Sequence, residues 1–489
     1  MIRGEKHRAS AMVSPYRVVV IMCVGLIMIL IPSVLGVHSA DVTFFYSWAA
    51  NLILIVRIID YKRIFGKTIN KFSLFIIAFF MYTFGKTLLF SLGIIGEKDW
   101  SGIYSTESVN SYLFFSVPAF YFFSMAGLVI SKRAAKNMEA RKIITKESDK
   151  RIVRITGCVF FCLLVLSAPF YIGSWTKFII TAREHGYAAN FGEGGSSSSL
   201  VTNVALFFIP AVIFCFFCCK RKIFKYLLLF CLLAIGISYL FVGSRGNSVA
   251  LMVSAMFIWL EELCPPKKRK VYIITIIISV FLLLGLFSVL RDIRDHSLGS
   301  PSEIISILFS GNIFDEAVSA IKEIGGTAIA WIRVREIVPE IYEYQYGYSY
   351  LAAFLACIPS AVIGYSFADD AALDVWLTKI MNANYGVGFS TMAEAYVNFG
   401  WLGILLIFFL GLFIFWCLCG SIWRNKPTRL DAAVSAVALY VFSNTARNPL
   451  ALSVRNMVYG VVIPLALIKF LSIIRIKPAR GDKRDYSCG

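Results

Sequence analysis

The chain is 489 residues long, 58% hydrophobic and 16% charged, with a formal net charge of +19. That balance excludes an ordinary soluble enzyme and points to a polytopic protein whose solvent is the bilayer. It also excludes nucleic acid as the cause of the basic excess, because Lys and Arg gather in short loops between apolar runs and form no basic face.

Apolar runs of about 20 residues, the length of a helical crossing, begin at Val18–Val37. This run is too long for the core of a cleavable signal peptide and lacks a cleavage site, so it reads as a signal anchor. Further crossings are expected near 41–57, 72–94, 111–131, 155–174, 203–219, 226–243, 247–263 and 271–290, and then near 396–419, 430–446 and 456–474. The fold class expected is all-α, with about twelve transmembrane helices. Residues 1–290 form an N-terminal bundle, 291–395 a large external (periplasmic) segment, 396–475 the C-terminal helices and 476–489 a tail.

The basic loops fix the orientation. Arg57 to Lys71, Lys132 to Arg154, Lys220 to Lys225, Lys267 to Lys270, Arg424 to Arg429 and the tail from Lys469 all fall on one side, with the N-terminus. By the positive-inside rule that side is the cytoplasm. Both termini are therefore expected to be cytoplasmic in a bacterial inner (plasma) membrane. Tyr350 to Phe367 is apolar, but a crossing there would put the 424–429 loop and the tail outside, so the segment is expected to be re-entrant or peripheral.

Cysteines lie in apolar runs or at cytoplasmic positions, so no disulfide framework is implied. The stretch "CFFCC", Cys215 to Cys219, has no His or carboxylate nearby and reads as helix packing, not metal binding. No metal or other cofactor is expected.

Arginine leads among the basic residues left for the outer face: Arg183, Arg245, Arg291, Arg294, Arg333, Arg335, Arg447 and Arg455. Its planar fork grips phosphate bidentately and keeps its charge. Charge at membrane depth tends to be functional. Snorkelling to headgroups or pairing with a carboxylate is the alternative for any one of them. "FVGSRGNS" places Arg245 in a glycine-flanked turn between two apolar runs, and "RDIRDHS" places Arg291, Arg294, Asp295 and His296 directly after a crossing. "WIRVRE" sets Arg333 and Arg335 before a tyrosine-rich stretch, Tyr342 to Tyr350, which suits a membrane interface or sugar stacking. "TAREHGYAANFGEGGSSSSL", Thr181 to Leu200, divides into a substrate-contacting part, Arg183 to Gly194, and slack from Gly195 to Ser199. Asp369 and Asp370 read as a solvated loop.

"NYGVGFSTMAEAYVNFGWLGILLIFFLGLF", Asn384 to Phe413, carries Ser390 and Glu394 through a polar, glycine-spaced segment into a helix whose Gly403 and Gly411 allow close packing. It resembles the corresponding region of the Wzy-type O-antigen polymerases and, more distantly, that of O-antigen ligases. The crossing count, cytoplasmic termini and one large late external loop agree with that family. Arg183, ten residues and Gly194 resemble an Arg-x10-Gly pattern of some members; Arg335 to Gly347 is one residue wider.

The resemblance implies a metal-free glycosyltransferase. A glycan on undecaprenyl pyrophosphate would be transferred to a sugar hydroxyl of a new lipid-linked repeat unit, building O-antigen, capsule or exopolysaccharide. Arg245 would stabilise the leaving pyrophosphate, with Arg183, Arg291, Arg294, Arg333, Arg335, Arg447 and Arg455 as substrate contacts. Glu394, His296, Asp295 and His185 would be available as general base. A chain-length regulator and a flippase would be partners. A ligase would carry an external His where Phe389 and Ser390 stand, and a flippase would show two similar halves and more charge within the crossings.

Overall fold

The computed structural model describes residues 25, 40–96, 99, 104–141, 148–185, 200–241, 244–265, 271–275, 313–383, 386–420 and 429–473. Among these the regular structure is entirely helical. Among the described residues, eight helices are long and apolar enough to cross a membrane. They run over Asp41–Phe65, Lys71–Ser91, Thr106–Ala134, Ile152–Thr181, Val201–Cys218, Lys222–Tyr239, Thr391–Cys419 and Leu450–Leu471.

These spans lie within α1 (Ala40–Phe65), α2 (Lys71–Ser91), α3 (Thr106–Arg141), α4 (Ser148–His185), the α5–α6 pair (Leu200–Ala205, Phe208–Cys218), α7 (Lys222–Phe241), α15–α16 (Thr391–Phe399, Gly403–Cys419) and α18–α19 (Leu450–Met457, Ile463–Ile473). The expected crossing at 247–263 falls on the 14-residue α8 (Arg245–Ile258) and a π-helical turn, Trp259–Leu263. The one at 430–446 falls on the 15-residue α17 (Arg429–Ser443), and neither is among the eight spans. The expected crossing at 18–37, apart from Gly25, and that at 271–290 beyond residue 275 lie outside the described residues.

Between α8 and α15 come short helices: α9 (Ile313–Ile324), α10 (Ala328–Ile337), α11 (Tyr348–Leu355), α12 (Ser360–Ile363), α13 (Phe367–Asp370) and α14 (Leu373–Ile380). Tyr350 to Phe367 is therefore no single crossing. Pro359 caps the start of α12 and Gly364 ends it with φ +75°.

The core follows from aromatic packing. Phe72, Phe75, Phe79, Phe120, Phe123 and Phe415 from α2, α3 and α16 stack or meet edge to face, all fully buried. α3 and α16 approach closely because Gly411 lies against α3. A Cβ there would sit 2.9 Å from the Ala126 Cβ and 3.1 Å from the Phe123 carbonyl.

Three lysines of the basic loops, Lys67, Lys71 and Lys225, gather at one end of the described helices. Asn70 caps α2 with hydrogen bonds from the Phe72 and Ser73 N–H groups. Beside it, Lys71 Nζ donates to the Cys419 carbonyl and Ser435 Oγ, each at 2.9 Å, closing the last turn of α16. At the same end Lys67 pairs with Glu261 and Lys225 with Glu262. Away from it, Lys322 of α9 pairs with Asp99 at 2.7 Å. Apolar side chains such as Phe161, Leu166, Ile223 and Phe230 project outward from α4 and α7, as hydrocarbon-facing helices require.

Candidate functional site

A short loop, Asn444–Pro449, joins α17 to α18. Its turn is closed by Arg447 and Asn448 N–H groups donating to the Asn444 carbonyl, both at 3.0 Å. The segment leading into α15 clamps it. Phe389 N–H donates to the Arg447 carbonyl (2.9 Å), and Thr391 donates to the Thr445 carbonyl from its N–H (3.2 Å) and its hydroxyl (2.6 Å). Gly388, at φ +72°, admits this approach; a Cβ there would lie 3.2 Å from the Arg447 carbonyl.

The clamp holds the Arg447 side chain in an unusual state. Its Nη1 is buried without a hydrogen-bond partner among the described residues, as is Asn444 Oδ1. Buried donors are normally satisfied, so an orphaned guanidinium nitrogen needs an explanation. Asn444 Nδ2 donates to Asn247 Oδ1, Asn247 Nδ2 donates to Ser244 Oγ (3.0 Å), and the Tyr82 hydroxyl donates to the Gly246 carbonyl (3.2 Å). A Cβ on Gly246 would lie 3.7 Å from Arg447 Cδ. Arg447 thus lies against the glycine that follows Arg245, the first residue of α8. The fold brings two of the expected arginines to one place, beside backbone N–H groups that favour negative charge.

Glu394, in the first turn of α15, is 1% exposed. Its Oε2 accepts the Leu450 N–H (2.8 Å) and its Oε1 the Ser349 hydroxyl (3.2 Å). Asn398 Nδ2 donates to Ser349 Oγ (2.7 Å), and Asn398 Oδ1 accepts the Gly347 N–H (2.9 Å). Asp374 of α14 lies within Coulombic reach of Glu394.

At the far end of α18, Arg455 Nη2 donates to Asn203 Oδ1, while its Nε is buried without a partner among the described residues. Directly below it the helix widens into a π-helical turn, Val458–Val462. Such turns occur frequently at functional sites. Arg333 pairs with Glu336 at 2.7 Å and lies over the Tyr104 ring, 5.2 Å to the centroid, while its Nε is likewise buried without a partner among the described residues. The hydrogen bond that it donates to Glu336 pushes its pKa above the ordinary guanidinium value. Arg335 is half-buried on the same helix, which packs against α15.

The tyrosine-rich stretch is partly solvent-facing, with Tyr346 77% exposed. Asp370, expected in a solvated loop, accepts hydroxyl hydrogen bonds from both Tyr348 and Tyr365. Arg291, Arg294, Asp295 and His296 lie outside the described residues, as do the side chains of Arg183, His185 and Arg245.

Sequence reasoning missed Asn203, Asn247, Asn444, Ser349 and Tyr82, and did not single out Asn398 within its motif. Lone amides and hydroxyls in apolar runs were the available signal, because each must find a partner once buried. The family model for O-antigen polysaccharide polymerase Wzy matches residues 17–477 of the chain. No curated protein and no solved structure matches it.

Proposed function

The chain belongs to the O-antigen polysaccharide polymerase Wzy family, membrane polymerases that act on lipid-linked oligosaccharides, and from that premise we propose how its outer arginines serve the transfer. The donor is a growing glycan on undecaprenyl pyrophosphate at the outer face of the inner membrane. A hydroxyl of the incoming repeat unit attacks the anomeric carbon. Its proton passes to a base as the new glycosidic bond forms, and the bond from the anomeric carbon to the pyrophosphate oxygen breaks. The electron pair leaves with undecaprenyl pyrophosphate.

Negative charge grows on that leaving group, and preorganised guanidinium groups stabilise it. The observation that carries this reading is the buried Arg447 Nη1, which has no partner among the described residues and lies beside the start of α8. In this reading Arg447 and Arg245 hold the pyrophosphate. Arg455 is a second anion contact deeper along α18. Arg183, Arg291, Arg294, Arg333 and Arg335 contact the glycan and its carrier. His296, in the outward segment after the ninth apolar run, takes the proton.

The wider arrangement follows the same premise: about twelve crossings, both termini cytoplasmic, and a flippase and chain-length regulator as neighbours. Deleting the gene and restoring it as Arg447→Ala tests the reading on a gel of surface and lipid-linked glycans. Loss of one transition-state donor lowers rate by about 100- to 1,000-fold, so the ladder should collapse to single repeat units on the acceptor. Long polymer stranded on its lipid carrier in the deletion strain would mean ligation instead. Single units trapped on the cytoplasmic side would mean flipping.

A further inference from the structure

We propose that Glu394, with Ser349 and Asn398 behind it, is a buried relay that positions the Arg447 guanidinium, and that Glu394 is a positioning residue and not the proton acceptor. The inference rests on the reading of Arg447 as a pyrophosphate contact.

A proton acceptor must meet the substrate hydroxyl. Glu394 is 1% exposed, and each of its oxygens is already engaged by a group of the protein. What those bonds do is structural and directional. Leu450 follows Arg447 by three residues and opens α18, so its N–H is among the donors that the helix leaves unmatched. A carboxylate there completes the turn and suits the positive end of the helix. Pro449, just before it, has a fixed φ and no N–H to offer. One chain segment, Phe389 to Glu394, therefore grips both flanks of the Arg447 loop. Phe389 and Thr391 hold the carbonyls of Arg447 and Thr445, and Glu394 holds Leu450.

The relay continues inward. Ser349 and Asn398 are fully buried, and Asn398 ties Ser349 to the Gly347 backbone and to the Glu394 carbonyl. α15 is registered further by the Gln345 and Tyr346 N–H groups, which donate to the carbonyls of Val397 and Asn398. The position of the guanidinium is thus set from the tyrosine-rich stretch through α15 to α18. A displacement of about 1 Å in a group that must meet the transition state costs about 100-fold in rate.

A double-mutant cycle separates the two roles. Full-length protein in nanodiscs is given the lipid-linked repeat unit extracted from a strain lacking the gene, and kcat/KM is followed by polymer formation across pH. Glu394→Gln keeps a carbonyl oxygen for Leu450 and a polar group for Ser349 but accepts no proton. It should retain activity within about 5-fold of the native protein, with the same pH profile. Glu394→Ala should lose about 100-fold, and Ser349→Ala about 10-fold.

In an Arg447→Ala background, Glu394→Ala should cost no more than about a further 3-fold, because the group that it positions is gone. A Glu394→Gln protein as inactive as Glu394→Ala would overturn the proposal, and so would a full additive loss in the double variant. Should Glu394→Ala fail to fold, the near-isosteric Gln variant decides alone. A fully active Arg447→Ala protein would instead remove the pyrophosphate reading, so the two failures are distinguishable.

Discussion

Burial in the first turn of α14 pushes the Asp374 carboxyl above its ordinary value near 3.8, against the pull of its own and Val375's backbone N–H groups. The folded chain then binds this proton more tightly than the unfolded chain does. Stability is greatest below the ordinary carboxyl value and declines as pH climbs through the raised one. Asp374→Asn should therefore melt about 2 °C higher than the native protein at pH 8 and at the same temperature at pH 3.5. A variant that melts lower at pH 8 would show that the ionised group is wanted. At this scale sequence reasoning found the charges and missed their partners. Arg447 and Glu394 stand out in apolar surroundings, whereas the groups that hold them, the Leu450 N–H and Ser349 hydroxyl on Glu394 and the backbone bonds of Phe389 and Asn444 with Arg447, leave no mark in composition.

The helices themselves were legible wherever a run of apolar residues was long, since a bilayer leaves few other solutions for the backbone. Their interruptions were not. Gly400, at φ +54°, marks the break at Gly400–Leu402, whereas the break at Leu206–Phe207 and the π-helical turn at Val458–Val462 fall within apolar runs and the π-helical turn at Trp259–Leu263 ends one. Gly411 is the exception, its spacing having signalled the close approach of α16 to α3. Gly411→Ala forces a methyl group to within 2.9 Å of the Ala126 Cβ. The two helices must then part, at a cost of about 1–3 kcal/mol. Thermal unfolding in detergent measures this; an unchanged melting temperature would mean that the interface is looser than its geometry. α15 also shows how one element serves two ends: its first turn clamps the Arg447 loop, while its last residues anchor Gln345, Tyr346 and Gly347.

Across the whole molecule, sidedness is the property for which the sequence carries the most direct signal, the distribution of Lys and Arg. Lys67, Lys71 and Lys225 gather at one end, Lys67 and Lys225 on the adjacent Glu261 and Glu262 of one π-helical turn and Lys71 on α16 and α17. With both termini cytoplasmic, as proposed, Lys67→Cys in a cysteine-depleted background should resist a membrane-impermeant maleimide in intact spheroplasts and react after lysis. Tyr346→Cys, highly exposed, should react in both. The reverse pattern would invert the topology. Beyond reach of the sequence was how unevenly the helices are enclosed. An 18-residue stretch within Ile152–Thr181 of α4 is 17% buried, against 89% for one within Thr106–Ala134 of α3. The 30-residue Ile152–Thr181 span is about 45 Å long, well beyond a hydrocarbon core of about 30 Å. A rod that long, held mostly by lipid, settles its mismatch by tilting. In the orientation proposed above its outer end carries Arg183. Membrane thickness would then set the height of that arginine, and chain synthesis would inherit a sensitivity to acyl-chain length that no residue of the site encodes.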